Sequence, residues 1–415
     1  MDYTISHPSK NIQAEISLPP SKSISNRALI IQALCQEKFT LFNLSQSSDT
    51  KALLETLNSP SKTIDVGDAG TTMRFLTAFL SQKNGDFVLT GSHRMKERPI
   101  KELVDCLQLL GADIQYLGKE GYPPLAISGK TLKGGEIEIS SSISSQFITA
   151  LLLIAPTLED GLTLTLKGEL LSKPYITMTL SIMRYFGVNS EWKDNKVSVK
   201  PQSYTPQDLS IEGDWSALAF ILECAVFSDS AELVINGLFE ESWQGDSLAN
   251  NLFEKVGLSH VFKDNQLHIS KGKNIDRNDF DVNLMDTPDL AQAYCCTLAG
   301  LKQSAIVSGL NNLKLKESHR LKALQMELHK IGQYCEYTEN SIFLKSSEIH
   351  APKLAFDSHN DHRMAMCLAP LAILFEVTIK EGEVVKKSYP NFWDDMKKMG
   401  FIVSPLARSS KKFHE

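Results

Sequence analysis

Long uninterrupted apolar segments are missing from this 415-residue chain, since the best candidate, FITALLLIAPTL, is broken by Pro156. A membrane-spanning helix needs about 20 predominantly apolar residues, so we expect no membrane partner. The opening MDYTISHPSK has no apolar stretch after a basic one, which predicts no signal peptide and a cytoplasmic protein. An excess of positive charge is also missing. The net charge of −6 argues against a nucleic-acid partner, which would favour a broad basic surface.

Glycines are missing from the stretch that most resembles a phosphate loop. In PPSKSISNRALI (19–30), Lys22 stands between two serines at the start of an apolar run, as at the end of a nucleotide P-loop. That loop needs glycines upstream so that its backbone can wrap the phosphate, and two prolines stand there instead. We therefore exclude a nucleotide P-loop and expect Lys22 to meet a different anion.

Spaced cysteine and histidine motifs are missing as well. The seven cysteines sit mostly in apolar runs, and Cys295 and Cys296 are adjacent, without the spacing of a zinc or redox motif. Buried free thiols are the expected state, with no disulfide framework. His359 and His362 have H-x-x-H spacing, but no third ligand accompanies them, so we expect no metal. His362, which adjoins an arginine, is interpreted as a donor to an anion.

What the chain does contain is a sixfold repeat. Six segments share a polar or glycine-containing opening followed by about three turns of apolar helix. Their anchor residues recur at intervals of 70–75 residues after a first interval of 48, which predicts repeated units and a shortened first one. Strand patterns between the helices, such as LTLTLKG (162–168), predict β-α-β-α-β-β modules, an α/β fold and, at this length, two domains. The six segments are SKSISNRALIIQAL, GDAGTTMRFLTAFL, SSISSQFITALLLIA, EGDWSALAFILECAV, DTPDLAQAYCCTLAG and NDHRMAMCLAPLAIL.

The polar openings and the loops beside them are cationic, although the chain is acidic overall. A helix start carries unpaired N–H groups and partial positive charge, so six starts arranged symmetrically would form a polyanion pocket. A single cation is more often a solvated surface charge. Many cations at equivalent positions of successive repeats, however, favour an anion-binding site. The cations are Lys22, Arg27, Arg74, Arg94, Lys96, Arg98, Lys173, Lys316, Arg320, Arg363, Lys386 and Lys387.

Two acidic residues in this setting are candidates for proton transfer. Asp289 follows Pro288 at a helix start, where a helix-stabilising carboxylate is the alternative interpretation. Glu317 lies between Lys316 and the helix that bears Arg320, where a surface ion pair is the alternative. Surrounding cations keep a carboxylate ionised, so an acid role requires burial or a bound anion.

Ten motifs occur in order between residues 18 and 393: LPPSKSISNRALI, GDAGTTMRFL, RMKERPI, SISSQFITALL, SKPYI, EGDWSA, PDLAQ, KLKESHRL, NDHRMAM and KSYPNFW. Together they resemble the 5-enolpyruvylshikimate-3-phosphate synthase family, also called 3-phosphoshikimate 1-carboxyvinyltransferases. The resemblance implies two inside-out α/β domains, each of three β-α-β-α-β-β repeats, with the active site in the interdomain cleft. On that pattern residues 21–212 form one domain, and residues 1–20 with 213–415 form the other.

The resemblance also implies the reaction, which is transfer of the enolpyruvyl group of phosphoenolpyruvate to the 5-hydroxyl of shikimate 3-phosphate. Phosphate is released after addition and elimination through a tetrahedral intermediate, without metal or organic cofactor. The implied partners are these two small molecules, and the implied state is a monomer. Both substrates carry a phosphate and a carboxylate, which suits the cationic openings. Because both domains contribute residues, ligand binding is expected to favour a closed form.

The resemblance assigns residues to these roles. Lys22 contacts both substrates, Asp289 accepts the proton of the attacking hydroxyl, and Glu317 protonates the methylene carbon. At Gly70 a side chain would intrude on the smaller substrate. The shikimate 3-phosphate group is Lys22, Ser23, Arg27, Ser144, Ser145, Gln146, Ser172, Asp289, Asn312 and Lys316. The phosphoenolpyruvate group is Lys22, Gly70, Arg98, Gln146, Arg320, His362, Arg363 and Lys387.

The chain departs from the family pattern at Asp68, where Asn is more frequent, and at Phe75, where Pro or Leu is usual. In addition, SSDT (47–50) replaces the usual SDDT. These departures leave the response to the inhibitor glyphosate open. The nearest alternative is UDP-N-acetylglucosamine enolpyruvyl transferase, which places a cysteine acid in the loop corresponding to GSHRMKERPI (91–100), where this chain has none. A nucleic-acid enzyme built on similar repeats would need a basic surface. An inactive paralogue is disfavoured because Asp289 and Glu317 are both present.

Overall fold

A computed structural model of the chain describes residues 1–141, 144–272 and 280–406. The chain forms two compact units. We call residues 1–19, 213–242 and 246 onward the terminal unit, and residues 20–212 with 243–245 the central unit. No helix in the described ranges has the length and apolar character needed to cross a membrane.

Helices and short strands alternate along both units. The α-helices are α1 Lys22–Leu34, α2 Ser48–Asn58, α3 Gly70–Gln82, α4 Lys101–Leu109, α5 Ser145–Ile154, α6 Lys173–Tyr185, α7 Trp215–Phe227, α8 Ala249–Glu254, α9 Ala291–Gly300, α10 Arg320–His329, α11 His362–Leu368 and α12 Phe392–Lys398. The strands are β1 Asp2–Ser6, β2 Asn11–Ser17, β3 Leu41–Phe42, β4 Thr63–Asp65, β5 Gly85–Thr90, β6 Asp113–Tyr116, β7 Leu125–Gly129, β8 Gly135–Ser140, β9 Leu162–Lys167, β10 Ser190–Lys193, β11 Lys196–Val199, β12 Leu209–Ser210, β13 Ser230–Asn236, β14 Leu258–Lys263, β15 Gln266–Lys271, β16 Val282–Asn283, β17 Ala305–Ser308, β18 Cys335–Tyr337, β19 Ile342–Leu344, β20 Phe356–Asp357, β21 Val377–Lys380 and β22 Ile402–Leu406.

The sheets of both units follow one plan. In the central unit the order β8-α5-β9-α6-β10-β11 gives the sheet β10-β11-β9-β8. Strands β8 and β9 pair in parallel, and the hairpin β10–β11 joins β9 in antiparallel fashion through β11. The sheets β4-β5-β7-β6 and β16-β17-β19-β18 repeat this arrangement. The predicted α/β fold of β-α-β-α-β-β repeats is confirmed.

The amino-terminal strands complete two sheets of the terminal unit. Strand β1 pairs in antiparallel fashion with β21 and β22, and β2 runs parallel to β13. In the central unit, β12 forms a two-stranded parallel sheet with β3. That small sheet belongs to the repeat that the sequence predicts to be shortened, and within the described residues it carries no hairpin.

The helices that open the repeats are buried on nearly every side. Every residue of α7 is buried, and α5 is buried from Phe147 to Ile154. Between such helices, β9 points its three leucines inward and its threonines outward, as its alternating sequence predicts. Each unit therefore has its own hydrophobic core around its own helices.

Residues 243–245 return to the central unit. The ring of Trp243 packs edge-on against that of Tyr185, with centroids 5.7 Å apart. Gln244 accepts a hydrogen bond from Ser21 Oγ at 2.9 Å. The predicted domain boundaries place residues 243–245 with the terminal unit. The contacts of Trp243 and Gln244 explain why these residues belong to the central unit instead.

One acidic side chain, Glu223, is buried within α7. It is 0% exposed, and neither carboxyl oxygen has a hydrogen-bond partner among the residues that the structure describes. Burial raises the pKa of Glu223 well above its ordinary value, and the nearby Cys296 thiol adds to the shift. The folded protein therefore keeps a proton on Glu223 that the unfolded chain releases.

We expect Glu223→Leu to stabilise the protein by about 1–3 kcal/mol, the cost of leaving a buried polar group unsatisfied. The gain should grow as pH rises above about 4.5, because the unfolded chain loses this proton there while the folded state keeps it. Thermal unfolding at about pH 5 and about pH 8 measures both effects, with the exposed Glu241→Leu as control. A loss of stability, or a gain that does not depend on pH, would contradict this interpretation.

Candidate active site

In the terminal unit, two of the repeat helices begin at an aspartate. Asp214 accepts hydrogen bonds from the N–H groups of Ser216 and Ala217, at 2.9 and 3.4 Å. Asp361 accepts one from the N–H of Arg363 at 3.0 Å. These carboxylates already satisfy the positive helix starts. Anion binding in this unit therefore depends on side-chain cations more than on bare helix starts.

Arg320, the first residue of α10, is the centre of a charged cluster in the terminal unit. It is 1% exposed. Its Nε donates to Asp361 at 2.8 Å, and its two Nη atoms donate to Glu317 at 3.0 Å and to Asp289 at 3.1 Å. Burial alone would lower the pKa of Arg320, but these three carboxylates raise it above its usual range. Arg320 is thus a permanent cation surrounded by carboxylates.

Asp289 is held by two further cations. Its Oδ2 accepts a hydrogen bond from Arg363 Nη2 at 2.9 Å, and its backbone carbonyl accepts one from Arg363 Nη1 at 2.9 Å. Lys316 Nζ lies 3.6 Å from its Oδ1. Burial would raise the pKa of Asp289, but Arg363, Lys316 and Arg320 outweigh burial and hold it well below its usual range. Asp289 is therefore ionised and, in this arrangement, a weak base.

Glu317 belongs to the same cluster through its second oxygen. Its Oε1 lies 3.1 Å from Lys387 Nζ, while its Oε2 is paired with Arg320. Lys387 ends the 3-10 helix Gly382–Lys387. The cations of the cluster outnumber Asp289, Glu317 and Asp361, which suits the binding of a further anion. These cations are Lys316, Arg320, Arg363 and Lys387.

A further carboxyl group, that of Asp246, lies near this cluster. It is 3% exposed and accepts a hydrogen bond from Ser216 Oγ. Burial and repulsion from Asp289 raise the pKa of Asp246 to about 7, although Ser216 and Arg363 oppose the shift. Burial thus favours the protonated form of this carboxyl. Asp246 was not among the predicted site residues; its one signal in the sequence is its place in the QGD segment (244–246) before a helix.

Two other predicted residues lie next to the cluster. His362 is buried, and its Nδ1 lies 3.7 Å from Asp361 Oδ1. Asn312 directly precedes the 3-10 helix Leu313–Leu315, which leads to Lys316. In the described part of the chain, no group of three or more His, Cys, Asp or Glu residues is arranged to hold a metal ion.

In the central unit, Lys22 is the first residue of α1, which Ser21 caps. Lys22 Nζ lies 3.4 Å from Asp49 Oδ2. Asp49 is 3% exposed, and its backbone carbonyl accepts a hydrogen bond from Thr72 Oγ1 at 2.8 Å. This bond ties α2 to α3. Asp49 was not among the predicted site residues, although it lies in the SSDT segment (47–50) that departs from the family pattern.

Arg27 is more buried than its predicted contact with a ligand suggests. It donates to Thr179 Oγ1 at 2.8 Å and to the carbonyl of Ser23 at 2.9 Å. It also donates to Thr149 Oγ1 and to the carbonyl of Tyr175, both at 3.2 Å. Burial lowers the pKa of Arg27 to about 10. Since a guanidinium has five N–H groups, these contacts within the described residues leave one N–H for a ligand.

Gly70, the first residue of α3, lies directly beside Arg98. A Cβ on Gly70 would be 2.6 Å from Arg98 Nη1, so any side chain would push the guanidinium away. Arg74 supports this approach by donating to the carbonyls of Gly70 at 3.0 Å and Pro99 at 3.4 Å. Gly70 and Arg98, both assigned to the same substrate by the sequence, are therefore in contact, and Arg74 ties their two segments together.

Two of the departures from the family pattern, at Asp68 and Phe75, also contact this region. Asp68 accepts a hydrogen bond from Ser92 Oγ just before α3. Phe75 is buried, and its ring centre lies 5.7 Å from Arg27 Cζ, within cation–π range. The departure at Phe75 is therefore not remote from the site, because its ring packs against Arg27, a predicted substrate-binding residue.

The predicted serines and glutamine stand at two further helix starts. Ser144 caps α5 by accepting a hydrogen bond from the N–H of Gln146 at 3.3 Å, and Ser145 begins that helix. Gln146 Nε2 donates to Thr71 Oγ1 at 3.1 Å. Ser172 precedes α6 with left-handed backbone, φ 58°. A capping hydroxyl still carries a hydrogen that it can donate, so capping does not exclude an anion-binding role.

Comparison with known proteins identifies the family. The family described as EPSP synthase (3-phosphoshikimate 1-carboxyvinyltransferase) matches residues 6–61 and 54–396. A 3-phosphoshikimate 1-carboxyvinyltransferase of Bacteroides fragilis is 42% identical over 406 residues, which cover 97% of this chain and 98% of the relative. One from Vibrio campbellii is 36% identical and covers 96% and 99%. An EPSP synthase structure from Acinetobacter baumannii has the same fold, with a TM-score of 0.76, 22% identity and coverage of 97% and 100%. The chain therefore belongs to the EPSP synthase family.

Proposed function

We propose that the charged groups described above bind the two substrates of the EPSP synthase reaction and perform its proton transfers. The reaction moves the enolpyruvyl group of phosphoenolpyruvate to the 5-hydroxyl of shikimate 3-phosphate and releases phosphate, and this chain catalyses it in aromatic amino-acid biosynthesis. The observation that carries the residue assignment is the cluster around Arg320, in which Asp289 and Glu317 contact the same guanidinium.

Phosphoenolpyruvate is assigned to cations that protein carboxylates now partly neutralise. Arginine forms bidentate pairs with carboxylate and phosphate, and lysine acts as a mobile point charge. An arriving anion therefore competes with Asp289 and Glu317 for these cations. The residues proposed for phosphoenolpyruvate are Arg320, His362, Arg363 and Lys387 in the terminal unit, with Lys22, Gly70, Arg98 and Gln146 in the central unit.

Shikimate 3-phosphate is assigned to hydroxyl and N–H donors at helix starts. Serine hydroxyls beside backbone N–H groups suit its phosphate. The fifth guanidinium N–H of Arg27, which makes none of the four hydrogen bonds given above, suits a carboxylate. The residues proposed for it are Lys22, Ser23, Arg27, Ser144, Ser145, Gln146 and Ser172 in the central unit, with Asp289, Asn312 and Lys316 in the terminal unit.

Asp289 is proposed as the base that accepts the proton of the 5-hydroxyl. Its ion pairs with Arg320 and Arg363 make it a weak base before substrate arrives. Once phosphoenolpyruvate shares those cations, they stabilise the Asp289 carboxylate less, and its affinity for a proton rises. Substrate binding thus prepares the base for the attack of the hydroxyl oxygen on the second carbon of phosphoenolpyruvate.

Glu317 is proposed as the acid that protonates the methylene carbon. Its pairs with Lys387 and Arg320 favour the ionised form, so it takes up a proton when a bound anion draws those cations away. Donation of that proton makes the methyl group of the tetrahedral intermediate. In the elimination step Glu317 takes a proton back from the methyl group while the carbon–oxygen bond to phosphate breaks. The leaving phosphate takes up the proton that Asp289 had accepted from the hydroxyl, so both carboxylates return to their starting states.

A phosphate-release assay tests the proposed acceptor and donor. Release is expected only with phosphoenolpyruvate and shikimate 3-phosphate together, and none is expected when UDP-N-acetylglucosamine replaces the shikimate ligand. Release from phosphoenolpyruvate alone, or with the sugar nucleotide, would contradict the proposal.

Gly70→Ala tests the assignment of Gly70 and Arg98 to phosphoenolpyruvate. The new methyl group must displace the Arg98 guanidinium, because the gap to Nη1 is 2.6 Å. We expect the KM for phosphoenolpyruvate to rise by about tenfold or more, and the KM for shikimate 3-phosphate to change much less. Gly118→Ala is the matched control, since its nearest contact is Pro124 Cδ at 3.7 Å. Equal changes in both KM values would count against the assignment.

The protein is also proposed to act as a cytoplasmic monomer without metal or organic cofactor. The steps above need proton transfer and charge stabilisation, which these side chains supply. Light scattering of the purified protein, with and without both substrates, tests the monomer, and a dimer mass in either condition would overturn it.

A further inference from the structure

Glu327 is a buried carboxylate that holds the connection between β20 and α11 against α10. Its side chain is 1% exposed, and it lies about two turns after Arg320 on α10. Its Oε2 accepts a hydrogen bond from the N–H of Asp357 at 2.9 Å and pairs with Lys330 Nζ at 2.6 Å. Its Oε1 bonds to Nε2 of His359 at 2.8 Å. One carboxylate thus fixes both the backbone at the end of β20 and a side chain of the connection that follows it.

This connection needs an anchor because two successive residues in it have left-handed backbone. The φ angles are 52° at His359 and 54° at Asn360. Non-glycine residues persist in this region only where the surrounding structure holds them. The next residue is Asp361, which caps α11 and bonds to Arg320. His359, which contacts Glu327, therefore stands two residues before Asp361, which orients Arg320.

We propose that Glu327 is a positioning residue for Arg320 and Arg363. Through the turn His359–Asn360 it sets the position of Asp361, whose carboxylate orients Arg320. The same turn leads into α11, which carries Arg363. The inference rests on the proposed assignment of these arginines to phosphoenolpyruvate. A displacement of about 1 Å in such a site is enough to cost a large part of the activity.

His359 makes this anchor sensitive to pH. The hydrogen bond to Glu327 raises the pKa of His359, partial burial lowers it, and the charges of Asp357 and Lys330 respectively raise and lower it. The Cys296 thiol on α9 also faces Glu327. Below the raised pKa the bond is charge-assisted, and above it the neutral imidazole makes a bond about half as strong. The anchor therefore weakens as pH rises through that pKa.

The first test is Glu327→Gln, which keeps the size of the side chain and removes its charge. We expect the KM for phosphoenolpyruvate to rise by about tenfold or more, and the KM for shikimate 3-phosphate to stay within about twofold. Glu348→Gln, which removes a surface ion pair with Lys302, is the matched control. Equal rises for both substrates, or a lower melting temperature with unchanged KM values, would overturn the proposal.

The second test does not depend on whether Glu327→Gln folds. His359→Gln keeps a hydrogen-bond donor but cannot take up a proton. The ratio of its KM for phosphoenolpyruvate to that of the unmodified enzyme is expected to be about three- to fivefold near pH 6 and to approach one near pH 9. A ratio that does not change with pH would show that the His359–Glu327 bond has no positioning role.

The variant Arg363→Lys distinguishes a failure of the positioning role of Glu327 from a failure of the assignment of Arg363 to phosphoenolpyruvate. If Arg363→Lys raises the KM for phosphoenolpyruvate and Glu327→Gln does not, the positioning role alone is wrong. If Arg363→Lys leaves that KM unchanged, the assignment of the arginine is wrong, and the inference falls with it.

Discussion

In Asp289→Asn and in Glu317→Gln we expect turnover at least about a hundredfold below that of the unmodified enzyme, the usual scale for general acid–base groups. Each replacement keeps the size of the side chain and removes the group that transfers the proton. Phosphoenolpyruvate binding should survive Asp289→Asn, because that change removes a carboxylate that competes with the substrate for Arg320 and Arg363.

Phosphate release under saturating substrates and equilibrium binding of phosphoenolpyruvate together check this result. Near-normal turnover in either purified variant would refute the role assigned to that residue. Loss of binding in parallel with loss of turnover would show that the carboxylate serves to arrange the cations rather than to move a proton.

The second large effect is expected from Arg320→Met, which leaves the carboxylates around Arg320 without their shared cation. Asp361 is 0% exposed, and removing one partner of a buried ion pair costs about 3–5 kcal/mol. We expect the free energy of unfolding to fall by that amount. The affinity for phosphoenolpyruvate should fall in addition, because the cation proposed to bind it is gone. Denaturant unfolding and ligand titration measure the two losses separately.

The double variant Arg320→Met with Asp361→Asn is the control for this prediction. It should recover part of the stability that Arg320→Met loses, because Asp361 no longer carries an unpaired buried charge. Its affinity for phosphoenolpyruvate should stay low. A double variant no more stable than Arg320→Met would mean that lost packing, rather than the stranded charge, causes the instability.

The repeat helices can be predicted from sequence because their signals are local. Helices α3, α5 and α7 follow their polar openings directly, and LTLTLKG forms β9 at Leu162–Lys167. The segment 244–257 shows where local signals fail. Its sequence, QGDSLANNLFEKVG, has the spacing of a single helix, but it forms the 3-10 turn Gly245–Leu248 and the short α8, since residues 243–245 pack with the central unit. Contacts between distant segments decide such cases.

The cations of the site could also be predicted, since they stand at the repeat openings, but their partners could not. Arg320 and Asp361 are 41 positions apart, and no local pattern tells which carboxylate meets which cation. The same limit hid the pairing of Lys22 with Asp49. Burial of Arg27 was equally invisible, because it depends on helices that pack only in the folded unit.

The most direct test of the central claim is the entry of solvent deuterium into the methylene group. If Glu317 gives a proton to this carbon and takes one back, then in heavy water with both substrates the recovered phosphoenolpyruvate and the product acquire deuterium there. We predict that Glu317→Gln slows this exchange by at least about a hundredfold, while the surface variant Glu348→Gln exchanges like the unmodified enzyme. Exchange at the unmodified rate in Glu317→Gln would contradict the account, since another group would then have to protonate the carbon.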